Sequence, residues 1–492
     1  MKPLSLVAAL AGGLLVACSA APPPKAAGTS SAAQPVAQSA PVVPPPVVTP
    51  APARGPVTPP AYASTYQPMP SVTTLLRGAT VLTGTGQRLD KADVLMQDGK
   101  VAAVGTGLQV PAGTVVVDAA GKWVTPGIID AHSHLGVYPS PGVRSLSDGN
   151  EATSPNTAQV WAEHSVWPQD PGFGAALAGG VTSLMILPGS ANLFGGRTVV
   201  LKNVAGRTVQ DMKFPGAPNG LKIACGENPK RVYGEGRKIQ PSTRMGNMAG
   251  FRAAFIEGRK YRDDLAKYER DRLTKPDAQP PTRNLQNETL AAVLNGEVIV
   301  HNHCYRADEM AQMLDLAKEF GFRIGTFHHA VEAYKIADLL AREGTCAAMW
   351  ADWWGFKMES FDGIRENIAM VDAAGACTIV HSDSDVGIQH LNQEASKAMA
   401  AGKRMGLDIQ PEHAIEWLTR NPAKAVGVGD KTGSLEPGKM ADVVVWNGNP
   451  FSVYALAERV YIDGALAYDR ADPARQPITD FALGETPAGG AR

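Results

Sequence analysis

His132 and His134 stand two residues apart at the end of the apolar run Val124-Thr-Pro-Gly-Ile-Ile-Asp-Ala. In a β-strand, residues i and i+2 share a face. Two imidazoles on one face pack poorly and ligate metals well, so the pair points to a metal site at a strand end. More donors close later apolar runs: Glu227, His301 and His303, His328 and His329, His381 and Asp383. By strand parity His301 and His303 share a face, as do His381 and Asp383, whereas His328 and His329 face opposite ways. The same parity turns Lys222, five residues before Glu227, to the opposite face. Imidazoles and carboxylates suit zinc or a similar divalent ion. Such an ion lowers the pKa of water from roughly 16 toward about 7 and polarises a carbonyl.

Between residues 126 and 428 strand-like and helix-like runs alternate, the signature of an α/β chain with a parallel sheet. The expectation is a (β/α)8 barrel, in which C-terminal strand ends share one mouth and gather side chains distant in sequence. Residues 244–290 are charged and read as a helical insertion. Short β runs with Gly, Asp and Pro turns occupy 73–125 and return at 429–470. These two ends are expected to form one small β-sandwich, leaving 471–492 as a tail.

Together, the Pro-Gly-Ile-Ile-Asp-Ala-His-Ser-His strand, the later strand-end histidines and His381-Ser-Asp383 resemble the amidohydrolase superfamily. So do the helix Leu418-Thr-Arg-Asn-Pro-Ala-Lys-Ala-Val-Gly and the returning segment Pro437-Gly-Lys-Met-Ala-Asp442. The likeness spans roughly residues 73–470 and is greatest to the imidazolonepropionase-like and prolidase-like group. It implies one or two divalent metals, zinc first, with His132, His134, His301, His329 and Asp383 as ligands. Asp383 then takes a proton from water and passes it to the leaving nitrogen, with His303 and His381 as its catalytic neighbours. Many relatives bridge two metals with a carboxylated lysine; parity assigns that place here to Glu227, against the plainer role of a salt-bridged rim residue. Lys230, Arg231 and Tyr233 are candidates for a substrate carboxylate on a loop at the mouth. Tyr334, with Glu332, either lines the pocket or belongs to the start of the next helix.

The leading expectation is hydrolysis of an amide C–N bond in a small peptide, an N-acyl amino acid or a cyclic amide. Deaminating relatives carry a glutamate three residues after the fifth-strand histidine; here that position is Cys304 or Arg306, which argues against them. Lactone or phosphoester hydrolysis stays open. A non-catalytic tethered binding protein is disfavoured, because every expected ligand position holds a competent residue.

Residues 1–18 have the shape of a lipoprotein signal: Lys2, a short apolar stretch, then Leu15-Val16-Ala17-Cys18, with Cys18 as the lipidation site. Residues 19–72 are rich in Pro and Ala and read as a disordered tether. The expectation is an exported enzyme, lipid-anchored to a bacterial membrane and facing the periplasm or cell exterior. Its membrane contact would be through that anchor alone. With 46 Lys+Arg against 47 Asp+Glu, no basic stripe argues for nucleic acid. The expected partner is a small-molecule or small-peptide substrate, and a homo-oligomer stays open. Of the remaining cysteines, Cys346 and Cys377 open successive strands and form the favoured pair, against the plainer reading of small core residues.

Overall fold

Short β-branched runs punctuated by glycine begin the ordered chain. A computed structural model describes residues 62–140 and 142–476. The signal segment with Cys18, most of the tether and the end of the tail lie outside the described residues. The first strands are β1 (Thr74–Leu82), β2 (Arg88–Gln97), β3 (Lys100–Gly105), β4 (Val115–Asp118) and β5 (Trp123–Pro126). Asp98 and Gly99 join β2 to β3 with φ of 51° and 74°, the left-handed pair that a two-residue hairpin turn requires.

The central strands are β6 (Ile128–Ser133), β7 (Val181–Ile186), β8 (Phe194–Arg197), β9 (Val199–Lys202) and β10 (Gly220–Ala224). They continue with β11 (Ile299–Cys304), β12 (Ile324–His329), β13 (Cys346–Met349) and β14 (Thr378–Val380). All of β6, β7 and β10 is buried, as parallel strands covered on both faces must be. Strands β10 to β14 pair in parallel and in order, and β6 pairs in parallel with β7. Thr198 alone separates β8 from β9. Strand β9 lies antiparallel on β7, and β8 lies antiparallel on β10. One extended stretch therefore serves a three-stranded and a six-stranded sheet. Across the remaining gap the Asp383 N–H donates to the His132 carbonyl at 3.1 Å. The class is α/β as expected, but these ladders remain open sheets.

Strands β15 (Val443–Trp446), β16 (Ala457–Ile462) and β17 (Ala465–Asp469) return to the first five. Strand β15 pairs antiparallel with β5, matching Val443 to Pro126 and Trp446 to Trp123. Both chain ends thus share one eight-stranded sheet, whose buried face includes Leu76, Val94, Val124, Val443 and Tyr461. Because β5 runs almost directly into β6, this sheet fixes where the His132 strand starts.

Helices cover the central strands. Ala307–Phe320 buries Met310, Met313, Leu314 and Ala317 on one stripe and stops at Gly321, φ 77°, a left-handed cap. The charged insertion is helical, Arg244–Asp271 followed by Leu285–Leu294. Its Phe251 and Phe255 pack on Phe194 of β8. At Gly258 a Cβ would come within 2.5 Å of Leu290 Cβ, so glycine permits the close helix contact there. Two disulfides join neighbouring strand ends: Cys346–Cys377, the favoured pair, and Cys225–Cys304, which was not anticipated.

The final residues assigned to the tether are seated on the domain. The Thr65 N–H donates to the Gln210 carbonyl, and the buried Tyr66 hydroxyl donates to Asp463 at 2.5 Å. A buried aromatic side chain with a paired hydroxyl, together with the bonds of Ser64 and Thr65, anchors the strap.

Candidate metal centre

Strand β6 delivers His132 and His134, and the end of β14 delivers His381 and Asp383. Asp130, buried two residues before His132, ties these elements together. It accepts from the backbone N–H groups of His132 and Ser382 and from the Ser382 hydroxyl. Burial pushes its carboxyl up to about 7, against the pull of those bonds. Asp130 is a positioning group that motif spacing alone passes over, although a carboxylate within a buried strand is itself a signal.

Two donor sets converge around His132: His132, His329 and His381, and His132, His134 and Asp383. Within each set one ligand atom per residue lies within 4.8 Å of the others. Asp383 Oδ1 is 3.2 Å from His134 Nε2 and 3.4 Å from His132 Nε2. The His381 ring stacks on His132 with centroids 5.0 Å apart. Both His381 ring nitrogens and His329 Nδ1 are buried without a hydrogen-bond partner. Orphaned buried nitrogens are costly unless something binds them. This set of imidazole and carboxylate donors fits a divalent cation of the zinc type.

The electrostatics agree. Burial, followed by the charge of Lys222, holds His132 well below its ordinary value and His301 near 3. Burial depresses His303, His328 and His329 strongly, and His381 to about 3. Neutral imidazoles are the ligating form. Burial alone would raise Asp383, but His134, His381 and Lys222 outweigh it and leave the carboxylate below the usual range.

Strand parity fails at two places, with identifiable causes. His328 and His329 both reach His132: His328 Nδ1 lies 2.9 Å from His132 Nδ1, and the His329 ring centroid lies 4.8 Å from that of His132. His329 has φ 72° and Ala330 φ 41°, so the strand has left the extended form on which alternation depends. Lys222 was expected to face away; it is fully buried, with Nζ 3.4 Å from His132 Nε2 and 3.3 Å from the Pro188 carbonyl oxygen. Counting back from Glu227 misleads because β10 ends at Ala224 and the chain turns at Gly226, φ 81°.

The other candidates spread outward. His301 Nδ1 is 3.0 Å from His328 Nε2, extending a line of imidazoles below His132. His303 packs against Tyr305 and His329. Neither belongs to the two converging sets, and neither does Glu227, whose N–H donates to Glu359. Lys230 and Arg231 stand on helical turns, Glu227–Lys230 and Arg231–Arg237, where a loop was expected. Tyr233 is not at a mouth: it is fully buried, donates to the Ser154 carbonyl at 2.7 Å and accepts from Asn192 at 2.9 Å. The Tyr334 hydroxyl donates to the Asp362 carbonyl. Sequence reading also passed over the segment after β13, Trp350-Ala-Asp-Trp-Trp-Gly-Phe, whose density of rings at a strand end was the available signal.

A profile of the amidohydrolase family matches residues 360–472. The solved amidohydrolase from Thermotoga maritima MSB8 superimposes with a TM-score of 0.73 at 38% identity, covering 81% of this chain and 100% of that one. Amidohydrolase tasK of Hapsidospora irregularis is 35% identical over 408 residues, 78% of this chain but 41% of the relative. This chain therefore spans less than half of that protein's length. An imidazolonepropionase of Mesorhizobium japonicum is 23% identical over 380 residues, 73% of this chain and 87% of the relative.

Proposed function

From the premise that this chain belongs to the amidohydrolase family, we propose that it is a metal-dependent hydrolase of an amide C–N bond. The substrate class is a small peptide, an N-acyl amino acid or a cyclic amide. The observation that carries this reading is the convergence of His132, His134, His329, His381 and Asp383, with both His381 nitrogens unpartnered. These five residues would hold the ion, with Lys222 beside them. Lys222 Nζ lies 3.4 Å from His132 Nε2, so Lys222, once carboxylated by carbon dioxide to present two oxygens, replaces Glu227 as the candidate bridging group when a second ion binds. The bound ion would polarise the scissile carbonyl and acidify the attacking water.

The protein's own groups do the rest. Asp383, held as carboxylate, takes a proton from the attacking water. The water oxygen bonds to the acyl carbon, the C–N bond breaks, and Asp383 returns the proton to the departing nitrogen. His303, kept neutral by burial, offers a ring nitrogen beside Tyr305 to orient the substrate. Trp350 stacks on His329, ring centroids 4.3 Å apart, and covers one face of that imidazole.

The reading extends to the chain's setting. A barrel closed from the two open sheets and a sandwich of the two ends belong to it, as do export and lipidation at Cys18. The disulfides support an oxidising compartment. Metal content measured with hydrolysis of a dipeptide and N-acyl amino acid library tests the proposal. Metal with amino-acid release is the expected outcome; a metal-free preparation that takes up no zinc would overturn it. Metal content of Glu227→Ala and Lys222→Met assigns the bridge. Radiolabelled palmitate on the full chain, and its loss in Cys18→Ser, tests the anchor.

A further inference from the structure

The segment after β13 builds a second feature against the metal centre. A cavity of about 300 Å³ is lined by His329, Trp350, Trp353, Trp354 and Arg365, among others. His329 therefore belongs both to the donor cluster and to this cavity. Trp350 stacks on His329 and, on its other side, parallel to Trp353 at 4.8 Å and 8°. Its indole N–H donates to the Ser382 carbonyl at 3.1 Å, next to Asp383. Trp350 is thus fixed and 7% exposed, whereas Trp353 and Trp354 leave 39% and 59% of their surface open. Exposed indoles grouped at a concave site mark a place for a flat apolar ligand.

The charges give that ligand a sign. Asp352 is neutralised by Lys397 at 2.9 Å. Lys357, nearer the centre, is engaged by Glu359 and Asn228 and lies over the Tyr305 ring. Arg365 is exposed and has no ion pair or hydrogen bond among the described residues. An unengaged guanidinium on an aromatic wall is matched to a carboxylate, which it can hold bidentately.

We propose that this cavity is the specificity subsite for an aromatic amino-acid residue on the leaving side of the scissile amide. The ligand ring extends the Trp350–Trp353 stack, and its α-carboxylate pairs with Arg365. This rests on the hydrolase reading above and names its substrate class as N-acylated or peptide-linked aromatic amino acids. It moves carboxylate recognition from Lys230 and Arg231 to Arg365.

Two measurements on the intact metal-loaded protein test it. Calorimetry with L-phenylalanine, glycine and phenethylamine reads binding without turnover. The expected result is that phenylalanine binds at least about tenfold more tightly than either partial probe, as a filled apolar pocket and a paired carboxylate each require. Trp353→Ala and Arg365→Gln should each remove that preference and leave bound metal unchanged; Trp353→Ala should spare glycine binding, whereas Arg365→Gln should weaken it, because glycine carries the same carboxylate. Kinetics on N-acetylphenylalanine should show the loss mainly in KM. Equal binding of the three probes, or variants that bind like the parent, overturns the subsite. Phenylalanine binding without hydrolysis of any amide sustains the subsite and overturns the hydrolase. Hydrolysis of glycine and phenylalanine derivatives with equal efficiency does the reverse.

Discussion

Lys202 and Lys222 are both fully buried, yet their surroundings have opposite character. Lys202 donates to both Asp442 oxygens at 2.9 and 3.0 Å and to Asp463 at 3.0 Å. Thr432 and Tyr66 complete those carboxylates. This knot joins β9 to the returning sheet and to the strap before β1. Among the described residues Lys222 meets only a carbonyl and an imidazole, both beyond 3.2 Å. Burial draws its ammonium down to about 8, although Asp383 pulls the other way. A buried cation with its counter-charges is architecture; one surrounded by ligand-type imidazoles is where partners must come from outside.

The largest effect should come from breaking the satisfied site. Lys202→Met leaves two buried carboxylates unpaired and should cost about 3–5 kcal/mol, read as a lower unfolding midpoint or loss of soluble protein. Adding Asp442→Asn and Asp463→Asn should recover part of it. In contrast, Lys222→Met should unfold within about 1 kcal/mol of the parent while losing about 10²–10³-fold in activity, as removal of an active-site electrostatic group does. A large stability loss in Lys222→Met would erase the distinction between the two lysines.

Next in size is a pH effect confined to the imidazole side, measured on protein stripped of metal. Above about pH 6.5 the histidines are neutral whether folded or not and contribute nothing. Below it the unfolded chain binds protons that buried His301 and His381, held near 3, refuse. Stability should therefore fall as pH drops from about 6.5 to 5, by up to about 1.4 kcal/mol per pH unit per histidine. Asp130, raised to about 7, works in the opposite direction: its stabilisation is complete at low pH and fades as pH rises toward 7. Glu309, also pushed up to about 7 by burial, acts with Asp130, and six depressed histidines outweigh these raised carboxyls, so denaturant midpoints that rise on acidification would contradict the cluster. Smallest should be Tyr66→Phe, about 1 kcal/mol, because Asp463 keeps Lys202.

Legibility followed the regularity of the backbone. His132 and His134 were readable because spacing of two on extended chain defines a face, whereas His381 and Asp383 lie past the end of β14, with Asp383 at φ 51°, and were placed by the motif they share with the family. His329 was placed by the family resemblance, whereas His328 and Lys222 were excluded by parity, which fails because positive-φ residues break that spacing at strand ends. Strands β8 and β9 went unseen, being four residues each, with two glycines in β8. The aromatic segment from Trp350 to Phe356 lies in irregular chain between β13 and the next helix, where no period exists to read.

The sequence by itself determined the donors, the alternation of strand and helix, and the return of the last strands to the first. Those are properties of residue type and local period. The tertiary structure alone decided that Lys222 enters the imidazole cluster, that Asp130 ties two strand ends together, and that His329 shares a wall with Trp350. Each depends on where the chain leaves regular geometry and which distant element meets it there, and no local period encodes that.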